Sequence, residues 1–233
     1  MAVKPDSNEA FLREVDEGLR RDQAATFWRR YGLWVAVAVI AGLAAFAGWL
    51  YWQHREREAA AAAAVTLQSA YDNLGANKPE AAAKPLAELA GSDIDGYRVM
   101  ALYTQADVLL QKSDLPGAAA KFAQVASDAS VAQPFRDLAL IRQTTAEFDT
   151  LKPEVIVARL RGLAASGNPW FGSAGELVAA AYLRQGRRDL AGQLFGRIAR
   201  DEDVPPSIRQ RAVQMAGVLG VDAVGGNEGK ATQ

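Results

Sequence analysis

Residues 110–122 read Leu-Gln-Lys-Ser-Asp-Leu-Pro-Gly-Ala-Ala-Ala-Lys-Phe, and residues 183–195 read Leu-Arg-Gln-Gly-Arg-Arg-Asp-Leu-Ala-Gly-Gln-Leu-Phe. The two stretches align without a gap at an offset of 73, about twice 36. The register continues beyond them: Val125 matches Ile198, Ala126 matches Ala199, Asp128 matches Asp201 and Val131 matches Val204. An intermediate unit lies between, because Pro134-Phe135, Pro169-Trp170 and Pro205 recur at spacings of 35 and 36, and Leu74 precedes Leu110 by 36. Self-similarity at such a period marks a repeat architecture, in which each unit buries its apolar face only against its neighbours.

Each unit reads as a helix hairpin. The first helix carries Val99, Leu102, Tyr103, Ala106 and Leu110, and a polar turn follows at 111–114 or 184–187. The second helix carries Ala118-x-x-x-Phe122-x-x-Val125, Ile156-x-x-x-Leu160-x-x-Leu163 or Ala191-x-x-x-Phe195-x-x-Ile198. A small residue lets two helix backbones approach, and the large one a turn later fills the space beside it. Proline at a helix opening is tolerated because its missing N–H would be unpaired there anyway. The spacing resembles the tetratricopeptide repeat, with a degenerate first helix. Its signature Trp, Gly and Tyr stand here as Leu102, Ala106 and Leu109, or as Gly175, Ala179 and Tyr182. An unrelated α-hairpin solenoid is the rival fold.

Upstream of the repeats, residues 33–52 are twenty uncharged residues reading LWVAVAVIAGLAAFAGWLYW. At 1.5 Å rise per residue this run crosses the roughly 30 Å hydrocarbon core of a bilayer as one helix. Tyr31 and Trp34 at one end and Trp49, Tyr51 and Trp52 at the other stand where amphipathic rings favour the headgroup level. Arg13, Arg20, Arg21, Arg29 and Arg30 precede the run, whereas Arg55 and Arg57 follow it interleaved with Glu56 and Glu58. The positive-inside rule therefore places 1–30 in the cytoplasm and the residues after about 53 across the membrane. A cleaved leader is the alternative, with Ala45-Phe46-Ala47 as its small-x-small site. Its length, its acidic residues Glu14, Asp16, Glu17 and Asp22, and the apolar continuation to Trp52 all favour an uncleaved signal anchor.

Four segments are expected: a cytoplasmic amphipathic segment at 1–30, a transmembrane anchor at 31–53, an extracytoplasmic repeat domain at 54–220 and a disordered tail at 221–233. In the first, Asp6 or Ser7 caps a helix whose Phe11, Val15 and Leu19 form one narrow apolar stripe. That helix lies on the membrane surface or serves as a docking or degradation signal. Beyond the anchor the alanine tract 59–64 leads to Val65, Leu67, Tyr71 and Leu74 with no Gly or Pro before Gly75, so the anchor helix should continue into the first helix of the repeats. The fold class is all-α: one N-terminal transmembrane helix followed by a tetratricopeptide-like α-hairpin solenoid.

Composition narrows function. The 233 residues carry a formal charge of −1, and no basic face emerges to neutralise phosphates, so nucleic acid is not an expected partner. The absence of cysteine removes disulfides, thiolate metal sites, thiol catalysis and a lipidated N-terminal cysteine. The single histidine, His54, falls at the membrane boundary. Gly217-x-x-Gly220 and Gly225-Gly226 lack the lysine and the strand–helix context of a phosphate loop, and no Gly-x-Ser-x-Gly elbow occurs. Asp93-x-Asp95-Gly96 lacks the later ligands of a calcium loop, and Asp201-Glu202-Asp203 reads as a solvated turn. No catalytic, cofactor-binding or metal-binding residues are therefore expected, and the chain reads as a binding protein rather than an enzyme.

Two residue sets remain. Tyr97, Phe135, Trp170, Phe171 and Ile208 open successive helices and either pack on the preceding hairpin or form an apolar ridge for a peptide or partner helix. Arg184, Arg187, Arg188, Arg197 and Arg200 make a basic band that is a solvated face or meets an acidic partner or lipid headgroups.

The full layout, with Phe11-Leu-Arg-Glu-Val-Asp-Glu and Phe27-Trp-Arg-Arg-Tyr-Gly ahead of an anchor ending in Tyr51-Trp-Gln and an Ala-rich stalk, resembles the YfgM-like proteins, ancillary subunits of the bacterial Sec translocon. The resemblance implies inner-membrane residence, association with the Sec translocon and with a membrane-tethered periplasmic chaperone of the prolyl-isomerase-like type, and assistance to secretory polypeptides. An adaptor for another envelope machine, in cytochrome maturation, outer-membrane assembly or cell division, is the alternative.

Overall fold

The computed structural model describes the backbone of residues 6–223 and the side chains of residues 25–223. Among the described residues there are nine helices and no strand, as the alanine-rich, β-branch-poor composition requires. Helix α1 (Asp6–Gly75) contributes to two compact units, residues 1–61 and residues from 62 onward. The stripe expected of Phe11, Val15 and Leu19 lies outside the residues whose side chains are described.

In the first unit, the described apolar side chains of α1 are mostly exposed. Leu33 is 77% exposed and Trp34 71%. Ile40, Leu43, Phe46 and Trp52 are likewise exposed. The helix is long and apolar enough to cross a membrane, and none of its apolar window is buried.

The second unit is a stack of hairpins. The last turns of α1 pair with α2 (Pro79–Ala90), α3 (Asp95–Gln111) with α4 (Leu115–Ser127), α5 (Gln133–Ala146) with α6 (Pro153–Leu160), and α7 (Phe171–Arg184) with α8 (Arg188–Arg200). Helix α9 (Pro206–Val218) covers the face of α8. Each hairpin also packs on the next, α2 on α3, α4 on α5, α6 on α7 and α8 on α9. Three clusters of buried side chains run along the stack. They are centred on Leu86, on Phe122, and on Phe171 with Ile198.

The anticipated small-to-large register holds at the core. Ala118, Phe122, Val125, Ile156, Leu160, Ala191, Phe195 and Ile198 are all buried, whereas Leu163, past the end of α6, is only partly buried. Phe122 is fully enclosed, its ring 5.7 Å from that of Tyr103. Close approach is needed at Gly175, where an added methyl group would lie 2.8 Å from Ile198 Cδ1. A fourth copy, not anticipated from the sequence, appears in α2 as Ala82-x-x-x-Leu86-x-x-Leu89, again buried throughout. Pro85 sits inside that helix, where it withholds one backbone N–H.

The polar turns share one backbone device. Asn77, Ser113 and Gly186 take the left-handed conformation, with φ of 56°, 60° and 74°. Each follows the end of a first helix and closes a pair of turn hydrogen bonds of the Schellman type, such as Ser113 N–H to Leu110 O and Asp114 N–H to Leu109 O. The next residue in each case, Lys78, Asp114 or Arg187, is already the N-cap of the second helix. Such a turn has almost no slack, which fixes the hairpin angle. Gly220 repeats the device after α9 with φ of 78°, and Val221 N–H bonds to Ala216 O. Residues 221–223, the head of the tail expected at 221–233, are among the described residues. Val221 packs against the core and Ala223 is buried, because the turn at Gly220 folds the chain back onto α8. Residues 224–233 lie outside the described residues.

Candidate partner-binding surfaces

Helix stacking leaves a groove wherever the second helix of one hairpin diverges from the end of the next first helix. One, between α2 and α3, is lined by Pro79, Glu80, Ala83, Val108 and Lys112, and the Glu80–Lys112 ion pair (2.8 Å) spans its rim. That pair holds the Glu80 carboxyl below the usual carboxylate range. The repeat-equivalent groove, between α4 and the end of α5, is lined by Leu115, Pro116, Ala119, Ala123, Ala146 and Asp149. The corresponding space lies between α6 and α7. Arg184 there donates to the Phe148 and Leu151 carbonyl oxygens and stacks 5.2 Å over the Phe148 ring, while Gln185 donates to Glu154.

First helices are tied to one another by charge. Arg142 on α5 pairs with Asp107 on α3 and lies 4.6 Å over the Phe122 ring. Arg211 on α9 makes a two-pronged contact with Glu176 on α7, which raises the guanidinium pKa further. Tyr103, enclosed below Arg142, donates its hydroxyl to the Phe135 carbonyl at 2.7 Å, and burial pushes its pKa up to about 12. At the opposite end of α3, Arg98 bridges Asp95, Asp128, Ser130 Oγ and the Ser92 carbonyl. Asp128 is held low first by its Ser130 hydrogen bonds and then by Arg98.

The two residue sets singled out in the sequence divide on inspection. Phe171 is buried, and Tyr97, Trp170 and Ile208 are partly buried against the core clusters. Phe135 stays 48% exposed, and Met100 on the neighbouring first helix, unnoticed in the sequence, is also exposed. The five residues therefore form no continuous ridge. In the arginine band, Arg184 is engaged as described, Arg187 stacks on Tyr182, Arg197 lies over Phe171 and Arg200 donates to the Asp222 carbonyl. His54 faces Glu58 one turn along α1 at 3.3 Å. Asp95 is drawn into the Arg98 network rather than a cation loop. Among the described residues, no group of three or more His, Asp or Glu side chains is placed to hold a metal ion.

A family model described as the tetratricopeptide repeat-like domain matches residues 25–215. The chain belongs to that family. The match takes in the apolar helix as well as the repeat-like domain, so the two parts form one family unit. The repeat-like protein is also 31% identical over 105 residues to the ancillary SecYEG translocon subunit of Escherichia coli (strain K12), a stretch covering 45% of this chain and 50% of that relative. The match thus spans about half the length of the curated relative. No solved structure matches the chain.

Proposed function

We propose that this protein is a non-enzymatic, membrane-anchored scaffold that associates with the Sec translocon. The observation that carries the reading is the likeness to the ancillary SecYEG translocon subunit in a chain that joins an exposed apolar helix, long enough to cross a membrane, to a repeat-like domain. In this reading residues 31–53 span the inner membrane once, 1–30 stay cytoplasmic and the repeats from 54 onward project into the periplasm, with the arginine asymmetry as the support. Hairpin stacks bind by presenting grooves and first-helix surfaces rather than reacting groups. The perturbed titrations trace to hydrogen bonds, ion pairs and burial that hold the domain together.

The anchor holds the repeats at the channel exit, where tethering raises their effective concentration for emerging secretory polypeptides and for a membrane-tethered periplasmic chaperone. A photo-activatable residue at Ala44, which is exposed on the apolar helix, should crosslink to a Sec channel subunit in native membranes. Crosslinks confined to components of another envelope machine would replace the translocon with that machine.

A further inference from the structure

The last hairpin holds a short stretch of the chain itself. After the left-handed turn at Gly220, Val221 drops onto two glycines one turn apart on α8. A methyl group added at Gly192 would lie 2.9 Å from Val221 Cγ2 and 3.3 Å from Leu219 Cβ, and one at Gly196 would lie 3.1 Å from Val221 Cγ1. The seat is basic: Arg200 donates to the Asp222 carbonyl at 3.2 Å, and Arg197 stands beside Val221 in the same hollow. The second helix of the last hairpin thus receives a valine on a strip of missing side chains, and the segment it receives carries an acidic residue next to that valine.

Counting back by the repeat offset of 73, Gly192 and Gly196 correspond to Ala119 and Ala123 on α4. Helix α4 packs on α5 as α8 packs on α9, and Ala146 at the end of α5 corresponds to Leu219. Here the chain does not fold back. Phe148, which corresponds to Val221, turns away and packs in the cluster around Phe171, where Arg184 covers its ring. The seat on α4 is consequently an open groove of about 410 Å³, floored by Ala119 and Ala123 and walled by Leu115, Pro116 and Ala146. Its charge is the reverse of the seat on α8. Glu147 and Asp149 line it and no Lys or Arg does. Glu147 is engaged by Arg159, which leaves the exposed Asp149 to set the sign of the rim.

We infer that the α4–α5 groove binds an extended segment of a partner polypeptide that presents a valine-sized apolar side chain beside a lysine or arginine. The apolar residue fills the notch over Ala119 and Ala123, as Val221 fills the one over Gly192 and Gly196, and its basic neighbour meets Asp149. A β-branched residue suits the notch because its shape is already restricted at χ1, so little rotamer freedom is lost on seating. The equivalent position in the last hairpin needs no outside ligand, because the chain supplies its own. This inference names a ligand class for the scaffold proposed above and rests on that reading only for the source of the segment.

The test uses the full chain in detergent micelles and a fluorescently labelled peptide with a Leu-Gly-Val core flanked by lysines, read by anisotropy. Saturable binding is expected, at least tenfold weaker when aspartates replace the lysines and at least tenfold weaker for Ala123→Leu, whose side chain fills the notch. Asp149→Lys, at an exposed position, should reverse the preference between the lysine and aspartate peptides without altering the thermal melt. Equal binding of both peptides, or an unchanged preference in Asp149→Lys, overturns the inference, as does indifference to Ala123→Leu in a protein of normal helicity. If sedimentation shows a dimer that Ala123→Leu disperses, the occupant is the Leu219–Val221 segment of a second copy, and the partner-polypeptide assignment fails. Channel crosslinking from Ala44 is measured in parallel. Its loss with peptide binding retained refutes the translocon reading alone, and the converse refutes only the groove.

Discussion

Phe122 shows how one side chain serves several levels of the structure. Its ring is fully enclosed, meets Tyr103 from the preceding helix and lies under the Arg142 guanidinium from the next hairpin. Removing it deletes apolar contact, an aromatic pair and a cation–π contact together. Phe122→Ala should destabilise the repeat domain by about 3–5 kcal/mol, the range for a buried Phe, measured by urea unfolding monitored at 222 nm. Phe195→Ala should fall in the same range, since Phe195 is also buried at the matching position. A cost under about 1 kcal/mol at either site would show that the shared register does not organise the core. Tyr103 supplies a second test at this scale. Burial raises its pKa to about 12, from an unfolded value near 10. The folded state holds the proton more tightly, so the contribution is complete below about pH 10 and is lost as pH rises toward 12. A spectrophotometric titration at 295 nm should show one tyrosine ionising about two units late, and Tyr103→Phe should remove that late step.

At the scale of helices, α2 shows where sequence reading stops. The repeats at 110–122 and 183–195 were legible because Phe122 and Phe195, the alanines four residues before them and the polar turns coincide without a gap. Helix α2 carries the same pattern as Ala82, Leu86 and Leu89, 36 residues before Ala118, Phe122 and Val125, but Leu replaces Phe and Pro85 reads as a helix breaker. The proline is tolerated because α2 is held by packing against Leu67, Ala70 and Leu74 more than by its own backbone bonds. Leu86→Ala should therefore cost about 2–5 kcal/mol. Hydrogen exchange should show its effect first as faster exchange in α2 and the last turns of α1, the terminal pair of the stack. The left-handed turns were only half legible. Gly186 announces itself, whereas Asn77 and Ser113 occupy the same conformation through turn hydrogen bonds that no side-chain pattern reveals. The open seat on α4 was invisible for a similar reason. Ala119 and Ala123 look like ordinary helix formers until Val221 shows what their counterparts on α8 accommodate. The arginine band, in contrast, was legible as charge and not as geometry, since carbonyls and aromatic faces within the domain engage Arg184, Arg187, Arg197 and Arg200.

The whole molecule divides its labour between an apolar helix whose described apolar window is exposed and a hairpin stack with its own three-part core. A chain beginning at residue 54 should accordingly be soluble and as helical as the stack requires, melting cooperatively and retaining the α4–α5 groove. The anchor should confer proximity to the channel, and the repeats should confer contact with partners beyond it. The most direct measurement is affinity recovery from gently solubilised bacterial membranes of the full chain beside the form starting at residue 54, with Sec channel subunits quantified in each. The channel should co-purify with the full chain and fall at least tenfold with the truncated form. Recovery of no Sec subunit with the full chain, under conditions that keep the channel itself intact, would contradict the translocon reading.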